Sequence, residues 1–206
     1  EFPELQGIMG GHYAKIKNKS DDVSKAIFEH YKPKGISNEL PETKLGSLLS
    51  MVDKIDTLVG FFSLGKIPTG SKDPFALRRN GFSIAQILIK LKLNMSLNEV
   101  IEPSLKEFDY SSQLLKPCLI DFMIDKLKFV LSNQNYRIDI VNSVLNTKFV
   151  NDMTIKVILS RIESICKLIK DKDFKIFLLN FKRINNILKS EKFSNDKEFQ
   201  IDTKIF

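Results

Sequence analysis

Residues 66–80 read KIPTGSKDPFALRRN and mark the end of a loop and the start of a helix. Pro68 and Gly70 are typical of the loop. Asp73 is predicted to be the N-cap of the helix and Pro74 its first residue, because the fixed φ of proline suits that position and its missing N–H would have no partner there. The helix is predicted to run to about Leu91.

Apolar residues recur at helical spacing along almost the whole chain, and no convincing pair of alternating strands is present. Ser96 and Glu99 have the spacing of a capping box, which predicts a further helix start. An all-α protein built as a multi-helix array is therefore predicted. Its helices are predicted at residues 3–16, 22–31, 43–62, 73–91, from 96 onward, 117–131, 139–145, 152–169 and 174–188.

Two arginines follow the predicted helix start and need a negatively charged partner. Arg78 and Arg79 lie close to the positive pole of the helix dipole, which favours anions. In projection, the preceding helix places Asp56 within its apolar stripe and Asp53 at the edge of the stripe. Because a buried carboxylate needs a partner, Arg78 is predicted to be mostly buried in a structural ion pair with Asp56 or Asp53. The predicted stripe consists of Leu45, Leu48, Leu49, Val52, Ile55 and Val59.

Arg79 is predicted on the polar side of its helix, where it either meets phosphate or is an ordinary solvated charge. The formal net charge of the chain is +7 and its pI is about 9.3. This charge favours a polyanionic partner, although a lysine-rich composition by itself produces the same excess. Under the first interpretation, Arg79 belongs to a phosphate-facing patch with Lys66, Lys72 and Lys90.

The length and composition of the chain limit the classes of protein to which it can belong. The chain has 206 residues, of which 43% are hydrophobic, enough for one large or two small domains, with a candidate boundary near residues 109–116. Cys118 and Cys166 have no metal-ligand spacing and are expected to be buried thiols in a reducing cytosol. No apolar run approaches the roughly 20 residues that cross a bilayer, so a soluble cytoplasmic protein without a membrane partner is expected. The chain opens without methionine, which suggests a piece of a longer polypeptide.

Three motifs carry a resemblance to a known family. The stretches FPELQGIMGGHYA (2–14), VDKIDTLVGFF (52–62) and PTGSKDPFALRR (68–79) resemble, in this order, the beta subunit of bacterial heterotetrameric glycyl-tRNA synthetase. Patchier similarity continues through residues 121–146 and 181–190. The resemblance implies a fragment of the tRNA-binding subunit, which supports the attachment of glycine to its tRNA.

The resemblance also implies a domain order and a set of partners. Residues 1–65 would be the end of an HD-like helical domain, residues 66–173 a helical body, and residues 174–206 the truncated start of an anticodon-binding helical domain. Glycine tRNA and the catalytic alpha subunit are the implied partners. ATP and Mg²⁺ would be used on the alpha subunit, so this chain is expected to be non-catalytic by itself and to hold no cofactor or metal.

The last predicted helix, residues 174–188, has an apolar and a basic face. The apolar face is expected to need helices beyond Phe206, and so to pack incompletely or against a neighbouring molecule. The basic face is interpreted either as a tRNA-binding surface of the complete subunit or as a solvated surface. The apolar face comprises Phe177, Phe181, Ile184 and Leu188, and the basic face Lys175, Lys182 and Lys189 with Asn186.

Two other functions stay open at the level of sequence. Asp53 resembles the last aspartate of HD-type metal-dependent phosphohydrolases, but His12 and His30 are the only histidines and no His-Asp dipeptide occurs. His12 is interpreted as a structural histidine and His30 as an exposed one. A purely structural helical scaffold would explain every helix and leave the basic charge without a role.

Overall fold

The computed structural model describes residues 2–35, 39–69, 72–108, 112–147 and 149–190. These residues form helices, turns and two isolated β-bridges, and the all-α prediction is confirmed. Short 3₁₀ turns lie at Pro3–Leu5 and Val150–Asp152. The helices are α1 (Ile8–Ile16), α2 (Asp21–Glu29), α3 (Lys44–Ser63), α4 (Leu77–Leu91), α5 (Leu97–Glu107), α6 (Ser112–Asn133), α7 (Ile138–Leu145), α8 (Ile155–Leu168) and α9 (Lys172–Ser190).

The chain divides into two units, residues 1–163 and 164–206. In the first unit, α1 packs against α2, α3 packs against both α2 and α4, and α6 contacts α4, α5 and α7. The candidate boundary near residues 109–116 does not separate the two units, because both of its sides belong to the first one. The domain divisions expected at residues 65 and 173 stay predictions.

The core of the first unit is made of the apolar faces of α3 to α8. Burial of these side chains is the main stabilising contribution to such a fold. The largest fully buried side chains are Leu58, Leu77, Ile84, Ile87, Leu88, Leu97, Leu119, Ile120, Met123, Leu127, Leu131 and Leu145.

Helix α5 begins with the predicted capping box. The backbone N–H of Glu99 donates to Ser96 Oγ (3.3 Å), and the backbone N–H of Ser96 donates to Glu99 Oε2 (2.7 Å). These bonds satisfy two donors that a helix start would otherwise leave unpaired, so this prediction is confirmed.

Helix α4 begins later than predicted. The carboxylate of Asp73 accepts hydrogen bonds from the backbone N–H groups of Leu77 (2.8 Å) and Arg78 (3.0 Å). Ala76, with φ of 54°, adopts the left-handed conformation between the turn at Asp73 and the first helical residue, Leu77. The predictions of Asp73 as the N-cap and of Pro74 as the first helical residue are therefore wrong, because Ala76 is the N-cap. Asp73 nevertheless places a negative charge at the positive end of the helix.

Helix α3 turns a different face to the core from the one predicted. Four residues of the predicted stripe are exposed by 39–55%, namely Leu45, Leu48, Leu49 and Val52. Asp53 and Asp56 are exposed as well. The expectation of a core-facing Asp56 is wrong, and the charged residue that α3 buries is Lys54. The buried face consists of Gly46, Ser47, Ser50, Met51, Lys54, Ile55, Leu58, Val59 and Phe62.

The polar residues on this buried face bind the connection between α2 and α3. Carbonyl groups of that connection accept hydrogen bonds from side chains of α3 and α4. The pairs, with the donor first, are Ser47–Pro41, Ser50–Lys32, Lys54–His30 and Ser83–Pro33. Because a buried carbonyl group needs a donor, α3 carries polar residues where it packs against backbone rather than against apolar side chains.

Two further properties of the described residues bear on the sequence analysis. Cys118 and Cys166 are free thiols and both are half-buried, not fully buried as expected. Within the part of the chain that the structure describes, no helix has the length and apolar character needed to cross a bilayer.

Candidate nucleic-acid interface

Arg79 lies at an open cavity of about 510 Å³ in the first unit. The residues before α1, the segment after α2, the middle of α3 and the start of α4 form its walls. The polar side chains that line the cavity are Gln6, Tyr31, Lys34, Asp53, Lys54, Arg79 and Asn80.

Lys54 is the most deeply buried charged residue of this cavity, with 7% of its surface exposed. Its ammonium group donates hydrogen bonds to the His30 carbonyl oxygen (2.9 Å) and to Ser50 Oγ (2.8 Å). Burial lowers the pKa of Lys54 from 10.5 to about 8, and the nearby charge of Asp53 offsets part of this effect. Lys54 is thus a buried ammonium group held in place by neutral oxygen atoms.

Two other basic side chains reach the cavity from exposed positions. Lys34 follows α2, and Arg79 lies on the first turn of α4. Among the residues that the structure describes, no hydrogen bond or ion pair engages the side chains of Lys34, Arg79 or Asn80. The outward orientation predicted for Arg79 agrees with its exposure, and its grouping with Lys34 and Lys54 was not predicted.

The other members of the predicted phosphate-facing patch have different surroundings. Lys66 and Lys72 are exposed in the connection between α3 and α4. The ammonium group of Lys90 donates a hydrogen bond to the Pro41 carbonyl oxygen, so Lys90 helps to hold the connection between α2 and α3. None of these three lysines lines the cavity at Arg79.

Arg78 is half-buried, and its backbone N–H donates to Asp73. The Arg78 guanidinium lies near Lys126. Burial lowers the pKa of Lys126, and the positive charge of Arg78 lowers it further by a smaller amount. The Lys126 ammonium group lies over the rings of Phe122 (4.6 Å) and Phe82 (5.2 Å). The ion pair of Arg78 with Asp56 or Asp53 stays a prediction, but its premise of a core-facing acid does not hold.

In the second unit, helix α9 exposes both of its predicted faces. Lys175 and Lys182 are exposed, while the side chain of Lys189 lies outside the described residues. The apolar face is 52–58% exposed at Phe177, Phe181, Ile184 and Leu188. The rings of Phe174, Phe177 and Phe181 stack along the helix with centroids 6.1 and 6.2 Å apart. Coverage of this face by segments beyond Phe206 stays a prediction.

The two histidines have structural surroundings. His12 is exposed and meets the ring of Phe28 edge to face, with centroids 5.2 Å apart. His30 is half-buried, with its Nδ1 2.7 Å from the Ile27 carbonyl oxygen, so its interpretation as exposed is wrong. Across the described ranges, no group of three or more His, Cys, Asp or Glu side chains is arranged to hold a metal ion.

Comparison with known proteins identifies the family. The family model for the glycyl-tRNA synthetase beta subunit matches residues 1–146. The chain belongs to this family. Its similarity to individual members of the glycyl-tRNA synthetase beta subunit family extends beyond residue 146, because the alignments with curated relatives cover 92–100% of the chain.

Three members of the family illustrate the similarity, each a glycine–tRNA ligase beta subunit. The Rickettsia bellii protein is 41% identical over 191 residues, which are 93% of this chain and 28% of the relative. The Lactobacillus helveticus protein is 38% identical over 212 aligned residues, which cover 100% of this chain and 30% of the relative. The Sulfurihydrogenibium sp. protein is 35% identical over 196 residues, which cover 95% of this chain and 26% of the relative. The chain therefore spans less than a third of the length of these relatives.

Proposed function

We propose that this chain is part of the tRNA-binding beta subunit of a cytoplasmic glycyl-tRNA synthetase. In this role it supports the ATP-dependent attachment of glycine to its tRNA by a heterotetramer of alpha and beta subunits. The observation that carries the proposal is the family match over residues 1–146, together with alignments that cover the whole chain in some relatives. Activation of glycine with ATP and Mg²⁺ is assigned to the alpha subunit, and this chain is non-catalytic by itself.

Exposed basic residues in each of the two units support contact with tRNA. Clustered cations gain affinity for RNA by neutralising phosphates and releasing counterions. Such contacts follow the path of the RNA backbone and so recognise the shape of the RNA more than its sequence. The exposed basic residues proposed for this contact are Lys66, Lys72 and Arg79 in the first unit and Lys175 and Lys182 on α9. Lys90 and Lys189 complete the proposed set; Lys90 is the weaker candidate because the Pro41 carbonyl already binds its ammonium group.

Filter binding of a glycine tRNA transcript at two salt concentrations tests the proposal. The purified protein is compared with Lys66→Glu and Lys72→Glu, both on the exposed connection between α3 and α4. Each reversal should weaken binding at low salt and flatten the dependence of log affinity on log salt concentration by about one unit of slope. Melting temperatures should stay within about 1 °C of the parent, because both side chains are solvated.

Lys25→Glu provides the matched control, since Lys25 is an exposed residue of α2 outside the proposed set. It should change tRNA affinity less than either variant of the connection. Absence of tRNA binding at low salt would favour a purely structural helical scaffold. Equal losses in all three variants would show a diffuse charge effect without a defined surface.

A further inference from the structure

The cavity between the starts of α1 and α4, the end of α2 and the middle of α3 has an unbalanced charge. Lys34, Lys54 and Arg79 are basic, and Asp53 is the one acidic residue among its described lining residues. A volume of about 510 Å³ lies within the range of small-ligand sites, which extends from about 300 to 1,000 Å³. The charge of the cavity favours an anionic ligand.

The cavity also presents hydrogen-bond donors without acceptors. An ammonium group has three N–H donors, and Lys54 uses two of them on His30 and Ser50. Within the described part of the chain, the side chains of Lys34, Arg79 and Asn80 have no hydrogen-bonding partner. A ligand rich in acceptor oxygens would therefore find donors on three walls of the cavity.

The side chains, rather than the dipole of α4, must hold such a ligand. The carboxylate of Asp73 already accepts the backbone N–H groups of Leu77 and Arg78 at the start of this helix. The planar guanidinium group of Arg79 can bind two oxygens of one phosphate, and a lysine acts as a point charge on the same group. These preferences match phosphate better than an isolated carboxylate.

The charge balance indicates the kind of phosphate. A phosphate monoester carries a charge close to −2 at pH 7, whereas an internal phosphate of RNA carries −1. The negative charge of Asp53 and the two negative charges of a phosphate monoester together balance the three positive charges of the cavity. We propose that this cavity binds a phosphate monoester through Arg79, Lys34 and Lys54. The ligand is either a free nucleoside monophosphate or the 5′-phosphate end of an RNA chain.

Titration of the purified protein with AMP and with adenosine, followed by two-dimensional NMR at constant ionic strength, tests this proposal. AMP should bind saturably and shift the Arg79 Nε–H signal, and adenosine should bind at least about tenfold more weakly. Arg79→Gln and Lys34→Gln should each weaken AMP binding at least about fivefold, and Lys25→Gln less than about twofold. Equal binding of AMP and adenosine, or equal losses in the three variants, would overturn the proposal.

A tRNA transcript prepared with a 5′-phosphate and with a 5′-hydroxyl distinguishes the two sources of the monoester. Tighter binding of the phosphorylated form, with competition by AMP, assigns the cavity to the RNA end. Equal binding of both forms, with AMP binding retained, assigns it to a free nucleotide. The proposal does not rest on the proposed tRNA binding: if neither transcript binds, that function fails while the AMP titration still decides the cavity.

Discussion

Replacing Lys54 with methionine is expected to change how the stability of the protein depends on pH. The side chain is buried beside the cavity, and its ammonium group donates to the His30 carbonyl oxygen and Ser50 Oγ. Methionine keeps much of the apolar stem and removes the charge. Loss of these two hydrogen bonds destabilises the variant, whereas removal of a desolvated charge stabilises it, so the sign of the change at one pH is not diagnostic.

The pH dependence is diagnostic because burial lowers the pKa of Lys54 from 10.5 to about 8. Between these values the unfolded chain holds the proton and the folded chain has released it, so this residue makes the free energy of unfolding rise with pH. The burial of the charge costs about 3 kcal/mol at pH 7, and about 2 kcal/mol of that cost is removed by pH 9.5. The wild type should therefore gain about 2 kcal/mol relative to Lys54→Met over this interval.

Urea unfolding followed by circular dichroism at pH 7, 8 and 9.5 measures this difference. Contributions to stability that are the same in both proteins cancel in the comparison. Lys25→Met, at an exposed position of α2, is the control and should differ from the wild type by the same amount at each pH. A constant difference between the wild type and Lys54→Met across the interval would refute the assignment of Lys54 as a buried charge.

Three further variants test the packing of the first unit. Glu29→Gln should lower the free energy of unfolding by about 1 kcal/mol at pH 7, because the carboxylate accepts the backbone N–H (3.0 Å) and hydroxyl (2.6 Å) of Thr43 at the start of α3. Burial alone would raise the Glu29 pKa, but these hydrogen bonds, a further one from the Glu42 backbone N–H and the charge of Lys32 leave this pKa lowered. In urea titrations, the difference in unfolding free energy between wild type and Glu29→Gln should therefore persist above pH 4.5 and vanish as the pH falls through the lowered pKa. Gly11→Ala should lower the melting temperature, because the new Cβ would lie 2.4 Å from the Phe28 ring; an unchanged melting temperature would mean that this ring moves freely. Leu88→Ala, at a fully buried site, should cost about 3 kcal/mol in denaturant unfolding, and a loss below about 1 kcal/mol would contradict its place in the core.

The proposed binding cavity could be predicted only in part. Arg79 can be recognised in the sequence, because a cation near a helix N-terminus needs a negatively charged partner, and the structure places it at the cavity. Lys54 cannot be recognised in the sequence, because helical projection of α3 predicts that the face with the most leucines is buried, and Lys54 lies on a different face. The sequence VDKID shows a lysine between aspartates, a pattern typical of an exposed turn of helix. Lys34 lies in the connection between α2 and α3, where helical periodicity does not predict the direction in which a side chain points.

The all-α class, the approximate bounds of the helices, the capping box of α5 and the family follow from the amino-acid sequence. These features depend on residues three or four positions apart, or on contiguous motifs, so they can be found without knowing what packs against them. Tertiary structure alone decided which face of α3 is buried and which charges meet at the cavity. The carbonyl groups of the connection between α2 and α3 require donors, and only the folded chain shows that Ser47, Ser50 and Lys54 supply them.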